Sequence, residues 1–228
     1  MALRCAGALV AVFVTLLGTG AVWAHGVAEG DAGFLQSQTG FHFWPYFYLG
    51  AKHMVTGYDH LLFLAGVVFF LYRLRDIGVY VSLFALGHSL TLIVGVWFNI
   101  PANAYLIDAI IGLSVVYKAF ENIGGFARLG IHIDTRAAVA IFGLFHGFGL
   151  ATKLQALELS PDGLLANLFA FNLGVEVGQI AALLLIVALM NLWRARPSFQ
   201  RHAITANAVL MVCGFMLMGY QLTGYAVA

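Results

Sequence analysis

The residues of this sequence that could do chemistry are ionisable and amide side chains within long apolar stretches. Imidazole and carboxylate together bind first-row divalent metal ions, and imidazole suits nickel, cobalt, copper, zinc and iron. Chains of the same groups also relay protons in membrane pumps. We predict a metal site from the histidines and acids, with ligands Asp59, His60, His88, His146 and Glu176. Four more residues are candidates for supporting hydrogen bonds or a proton path: Asp108, Glu121, Asn172 and Gln179.

The spacing and the neighbours of these residues favour side chains that point toward other helices. Residues 53–64 read HMVTGYDHLLFL, so His53 precedes His60 by about two helical turns. His146 lies within GLFHG and Glu176 within GVEVG. Glycines four residues apart allow close helix approach, so we expect both side chains to point at other helices. Asn172, Glu176 and Gln179 are spaced to form one polar stripe on a helix.

Each of these residues also has a structural interpretation. Asp59 and His60 could cap and anchor the start of a helix, and Asp108 could cap another. His88 and His146 could each bond a backbone carbonyl of a neighbouring helix. Glu121 could pair with Lys118 or with an arginine at the same membrane face, and Glu176 could serve packing alone.

The composition is that of an integral membrane protein. The 228 residues are 62% hydrophobic and only 9% charged, whereas soluble domains carry roughly 25% charged residues. The net charge of +1 gives no basic surface for nucleic acid. The two cysteines, Cys5 and Cys213, are too few for a disulfide framework or a thiolate metal site.

The apolar pattern predicts an all-α polytopic bundle in one domain, residues 25–228. Residues 1–24 combine Arg4, a short apolar run and a small-residue cleavage site, as in a signal peptide; an uncleaved first membrane helix is the alternative. Cleavage would expose His25 as an N-terminal metal ligand. Residues 43–55 resemble an interfacial helix, and six later stretches approach the roughly 20 residues that a spanning helix needs: 57–73, 77–98, 104–121, 137–154, 164–192 and 203–224.

Positive charge predicts the orientation of this bundle. With the mature N-terminus outside, the inner loops carry the arginines, whereas the outer segments carry only Lys52 and Lys153. This asymmetry follows the positive-inside rule. We therefore expect a multi-pass protein of a bacterial inner membrane, with both mature ends outside. The inner-loop arginines are Arg73, Arg75, Arg128, Arg136, Arg194, Arg196 and Arg201.

The pattern His53-x-x-x-Gly57-x-Asp59-His60 resembles the signature of the HupE/UreJ family, His-Pro-x-x-Gly-x-Asp-His. Met54 replaces the proline of that signature. GHSLTL around His88 and FNLGVEVGQ around Glu176 resemble the second, broader branch of the family. Members of the family are accessory proteins of hydrogenase and urease gene clusters and are regarded as nickel or cobalt permeases, whereas the second branch is not tied to those enzymes. The resemblance therefore implies a metal permease, and it places the metal role on the residues of the signature, His53, Asp59 and His60.

Three functions stay open from the sequence. The first is transport of a divalent transition-metal ion, without ATP because no GxxxxGK[ST] motif occurs. The second is a membrane accessory protein that hands metal to a metalloenzyme maturation partner. The third is an intramembrane enzyme or haem protein, although the sequence contains neither HExxH nor GxSxG. We favour transport, and we expect the protein not to be an enzyme.

Overall fold

The computed structural model describes residues 29–37, 39–157 and 159–228, and the described residues form helices and no strands. The predicted signal peptide and His25 lie outside these residues. The all-α prediction is confirmed. The helices are α1 (Glu29–Ser37), α2 (Phe43–Thr56), α3 (Tyr58–Val68), α4 (Leu74–Trp97), α5 (Ala104–Asn122), α6 (Gly125–Arg128), α7 (Thr135–Gln155), α8 (Leu164–Arg194) and α9 (Ser198–Val227).

Four of the described helices, α4, α7, α8 and α9, are long and apolar enough to cross a membrane. Helix α5 has 19 residues but carries the charged side chains of Asp108, Lys118 and Glu121. Helix α3 has only 11 residues. The predicted membrane character is therefore supported, whereas the count of six spans stays a prediction.

The two ends of the bundle are defined by contacts between helices that lie side by side. At one end, Arg194 of α8 donates to the carbonyl of Phe69 (2.9 Å), and Phe69 stacks on Phe199 at the start of α9. At the same end Thr135 of α7 bonds Glu121 of α5. We call this the arginine end, because the predicted inner-loop arginines belong to the segments that meet there: Arg73, Arg75, Arg128, Arg136, Arg194, Arg196 and Arg201.

The opposite end, which we call the lysine end, contains Lys153. Its ammonium group lies 2.8 Å from the carboxylate of Asp108 and joins α7 to α5. Gln155 donates to the carbonyl of Gly95 at 2.6 Å and joins α7 to α4. Helix α1 reaches this end through a bond from Gln36 to the carbonyl of Leu157 (3.2 Å). Helix α9 also ends here. A Cβ on its Gly224 would touch Tyr105, which lies at the start of α5.

Helices α2 and α3 form a broken rod beside α8. A Cβ on Gly174 of α8 would lie 1.9 Å from the carbonyl oxygen of Phe47, and a Cβ on Gly50 would lie 1.9 Å from that of Phe171. Glycine is required at both positions because the two backbones touch. Residues 43–56 therefore pack into the bundle, in contrast to the interfacial helix that we expected. The rod runs from the lysine end to Phe69 at the arginine end, and its break is at Gly57.

Candidate metal centre

The break between α2 and α3 positions two histidines across a single non-helical residue. Gly57 has φ −73° and ψ 100°, and its N–H donates to the carbonyl of His53 at 2.9 Å, which ends α2. His53 is in the last turn of α2 and His60 in the first turn of α3, with ring centroids 5.2 Å apart. The partial negative charge at the C-terminus of α2 favours a cation at this place.

Asp59 fixes the tautomer of His60. The Nδ1 of His60 lies 2.9 Å from Oδ1 of Asp59, and the backbone N–H of His60 donates to the same oxygen at 2.7 Å. Both side chains are buried. A carboxylate only accepts hydrogen bonds, so Nδ1 carries the proton and Nε2 presents its lone pair. A carboxylate on the outer nitrogen also makes the imidazole a stronger metal donor.

Three histidines come together around this break. One ligand nitrogen from each of His53, His60 and His88 lies within 4.8 Å of the other two. His60 and His88 are buried, and His53 is half-buried. The rings of His60 and His88 have centroids 5.6 Å apart. Such spacing allows small side-chain movements to bring three imidazole nitrogens onto one ion.

His146 joins the cluster from α7. A Cβ on Gly147 would lie 2.0 Å from the carbonyl oxygen of His88, so α4 and α7 are in backbone contact at the level of the histidines. The ring of His146 is fully buried and its centroid lies 4.8 Å from that of His60. His60 therefore contacts three other imidazole rings. The structure brings together five of the six predicted ligands: His53, Asp59, His60, His88 and His146.

The sixth predicted ligand, Glu176, does not join the cluster. Its side chain is exposed on the outer face of α8, whereas Asn172 and Gln179 on the same helix are buried. The amide of Asn172 donates to Ser89 at 2.7 Å, and that of Gln179 donates to the carbonyl of Val81 at 3.2 Å. These two amides therefore bind α8 to α4, and the polar stripe that we expected is split between two faces of the helix.

Asp108 and Glu121 have cationic partners outside the histidine cluster. Asp108 forms the ion pair with Lys153 already described, and its helix is capped instead by Asn103, which accepts from Leu106 N at 3.1 Å. Glu121 lies 2.5 Å from the ammonium of Lys118 and also accepts from Thr135. These pairs match the structural interpretation of Glu121, and they place Asp108 between helices near the lysine end.

Three phenylalanines cover the arginine-end side of the cluster. Phe63 follows His60 by about one turn in α3, and Phe84 and Phe142 precede His88 and His146 by about one turn in α4 and α7. The ring centroid of Phe63 lies 5.3 Å from that of Phe84 and 5.9 Å from that of Phe142. We call these three rings the aromatic floor. The sequence analysis missed them because phenylalanine is abundant throughout the chain.

A serine also contacts the cluster. Ser114 of α5 is fully buried, and its hydroxyl lies 3.1 Å from Nε2 of His146 and 2.6 Å from the carbonyl oxygen of Ile111. The sequence analysis did not identify it, since a single serine in an apolar helix carries no distinctive pattern.

Comparison with known proteins decides the family. A family model described as HupE / UreJ protein matches residues 29–228, nearly the whole chain. The chain belongs to the HupE/UreJ family. No curated protein and no solved structure matches it. HupE/UreJ proteins are implicated in nickel- and cobalt-related functions as transporters or accessory proteins, and they are not known as enzymes. The resemblance carried by His53, Gly57, Asp59 and His60 is thus confirmed at the level of the family.

Proposed function

We propose that this HupE/UreJ protein carries a divalent transition-metal ion across a membrane, with the histidine cluster as its binding site. The observation that supports the proposal is the approach of ligand nitrogens from His53, His60 and His88 to within 4.8 Å inside an apolar helical bundle. Buried ionisable groups in such bundles are costly and typically functional. Here an arriving cation would offset the charge of Asp59 and engage the imidazole lone pairs.

The donor set favours a nickel- or cobalt-like ion. Neutral imidazole binds later first-row ions well, whereas magnesium and calcium prefer oxygen ligands. Asp59 would act through His60 and supply the negative charge that a purely imidazole site lacks. A conducting site must also release its ion, so we expect moderate affinity.

The two sides of the cluster differ in a way that suits transport. His53 is half-buried and lies toward the lysine end, which gives the ion a point of entry. The aromatic floor closes the path toward the arginine end, as hydrophobic constrictions do in channels. The break at Gly57 would permit α2 and α3 to move separately when the ion passes. Uptake would be passive, or coupled to a proton gradient or to the membrane potential.

We place the protein in a bacterial inner membrane with the lysine end outside. The collection of arginines at the opposite end supports this orientation under the positive-inside rule. Both mature ends would then be outside, and the ion would enter the cluster from that side.

An accessory role is the second candidate. The aromatic floor leaves the cluster closed on its arginine-end side, which equally suits a protein that holds a metal ion and returns it on the same side. Such a protein would supply a metalloenzyme maturation partner.

Flux across vesicles separates the two functions. The full chain would be purified, reconstituted in lipid vesicles and supplied with nickel, cobalt, zinc, copper or ferrous iron. We expect uptake of one ion, its loss in His60→Ala, and its retention in His132→Ala, a matched change at an exposed histidine. Stoichiometric binding that depends on His60, without flux, would favour the accessory role. If the protein neither transports nor binds any of these ions, both functions are excluded.

A further inference from the structure

The contact between Ser114 and His146 is directional. A backbone carbonyl cannot donate, so the 2.6 Å contact with Ile111 uses the single hydroxyl proton of Ser114. The oxygen of Ser114 is then available to His146 only as an acceptor. The 3.1 Å contact with Nε2 therefore requires a proton on that nitrogen.

We propose that Ser114 is a positioning residue that holds His146 in the tautomer with its proton on Nε2 and its lone pair on Nδ1. The inference rests on the proposed function, because it makes Nδ1 the nitrogen that His146 offers to the ion. A hydrogen bond to the outer nitrogen is how proteins set the tautomer and ring orientation of a metal-binding histidine. Here α5 would supply that bond to a ligand on α7.

The arrangement complements that of His60. Asp59 holds the proton on Nδ1 of His60, so His60 offers Nε2, whereas Ser114 makes His146 offer Nδ1. The rings of these two histidines are the nearest pair in the cluster, with centroids 4.8 Å apart. A fixed tautomer at each therefore defines which nitrogens can bind one ion together.

The first readout is the tautomer itself, in protein without metal. Full-length protein labelled with ¹⁵N-histidine would be studied by NMR, with the His146 signals assigned by their loss in His146→Gln. We expect the wild type to show a protonated Nε2 and an unprotonated Nδ1. Ser114→Ala should give a mixture of tautomers, and Ser114→Thr, which keeps a hydroxyl able to bond the carbonyl three residues back, should restore the wild-type signals.

The second readout is the binding of cobalt(II) ions, followed by visible absorption. We expect Ser114→Ala to weaken binding by about tenfold or more, in the range found for partners of metal-binding histidines, and Ser114→Thr to recover it. The control is Thr152→Val, since Thr152 is buried and bonds the carbonyl of Gly149 three residues back, as Ser114 bonds that of Ile111. It should change neither readout. If Ser114→Ala does not fold, Ser114→Cys fills a similar space with a weaker hydrogen-bonding group.

Two results would overturn the proposal: a wild-type His146 with its proton on Nδ1, or a Ser114→Ala protein whose tautomer and cobalt affinity both equal those of the wild type. A tautomer change without a change in affinity would also overturn the positioning role. Failure of the proposed function is distinguishable, because wild-type protein would then bind no cobalt while its ¹⁵N signals still show which nitrogen is protonated.

Discussion

A methyl group on Gly57 would lie 2.8 Å from Nδ1 of His60, closer than a Cβ can approach. It would also lie 3.2 Å from Oδ1 of Asp59. The backbone of Gly57 is in an extended conformation that other residues adopt readily, so conformational freedom does not explain this glycine. Space does: the chain must pass beside the hydrogen-bonded Asp59–His60 pair. The glycine of the family signature thus has a structural explanation.

Gly57→Ala should therefore impair metal binding more than folding. The added Cβ would push the His60 ring or the Asp59 carboxylate from its place, and overpacking of this kind costs about 1–3 kcal/mol. We expect cobalt(II) affinity to fall by about tenfold or more, as when the partner of a metal-binding histidine is lost. Calorimetric titration measures this change, with Gly78→Ala as the control because a Cβ there meets nothing within 4 Å. Equal affinities in the two variants would contradict the steric explanation.

The orientation of His146 toward a neighbouring helix could be predicted from the glycines beside it, whereas the inward orientation that we predicted for Glu176 is wrong because it overlooked how the flanking glycines are spaced. His146 is three residues after Gly143 and one before Gly147, so it shares a side of α7 with the glycines that contact α4. Glu176 is two residues from both Gly174 and Gly178. At 3.6 residues per turn, a shift of two residues leads almost to the opposite face. The glycines face α2, and Glu176 therefore faces outward.

Neither the packing of α2 against α8 nor the contact of Ser114 with His146 could be predicted from the sequence, and the reasons differ. Residues 43–55 are aromatic-rich and short, a pattern shared by interfacial helices and by half-helices packed within a bundle. Only the backbone contacts of Gly50 and Gly174 distinguish the two. Partners across long sequence separations, such as Ser114 with His146, depend on the rotation of each helix, which hydropathy does not determine.

Glu176→Gln should leave metal affinity unchanged, because the side chain lies outside the cluster. The informative comparison is Asp59→Asn, which removes the charge that acts on His60 at 2.9 Å. We expect Asp59→Asn, but not Glu176→Gln, to bind cobalt(II) about 10–100-fold more weakly. Titration of both purified variants with cobalt(II) measures the difference. If Glu176→Gln lost as much affinity as Asp59→Asn, Glu176 would belong to the metal site, contrary to this prediction.

Lys153→Met should destabilise the bundle through Asp108. The carboxylate of Asp108 is buried, and Lys153 is its cationic partner at 2.8 Å. Removing one partner of a fully buried pair costs about 3–5 kcal/mol. The side chain of Lys153 is 26% exposed, so we expect a smaller loss, which arises because the charge of Asp108 stays buried. The double variant Lys153→Met with Asp108→Asn should recover much of this loss. Thermal unfolding in detergent measures the relative stability of the variants. A double variant less stable than Lys153→Met would show that the loss does not arise from the buried charge of Asp108.

Phe84→Leu should open the aromatic floor toward the arginine end. The ring centroid of Phe84 lies 5.3 Å from that of Phe63 and 5.0 Å from that of His146. A smaller side chain at this position therefore leaves a gap directly beside the cluster. If the floor is the barrier to ion passage, vesicles that contain Phe84→Leu should lose preloaded cobalt(II) faster than those with wild-type protein, as a hydrophobic constriction that admits water would allow. Phe169→Leu is the control, since Phe169 is 55% exposed on α8. Equal leak rates from folded Phe84→Leu and wild-type protein would show that the barrier lies elsewhere.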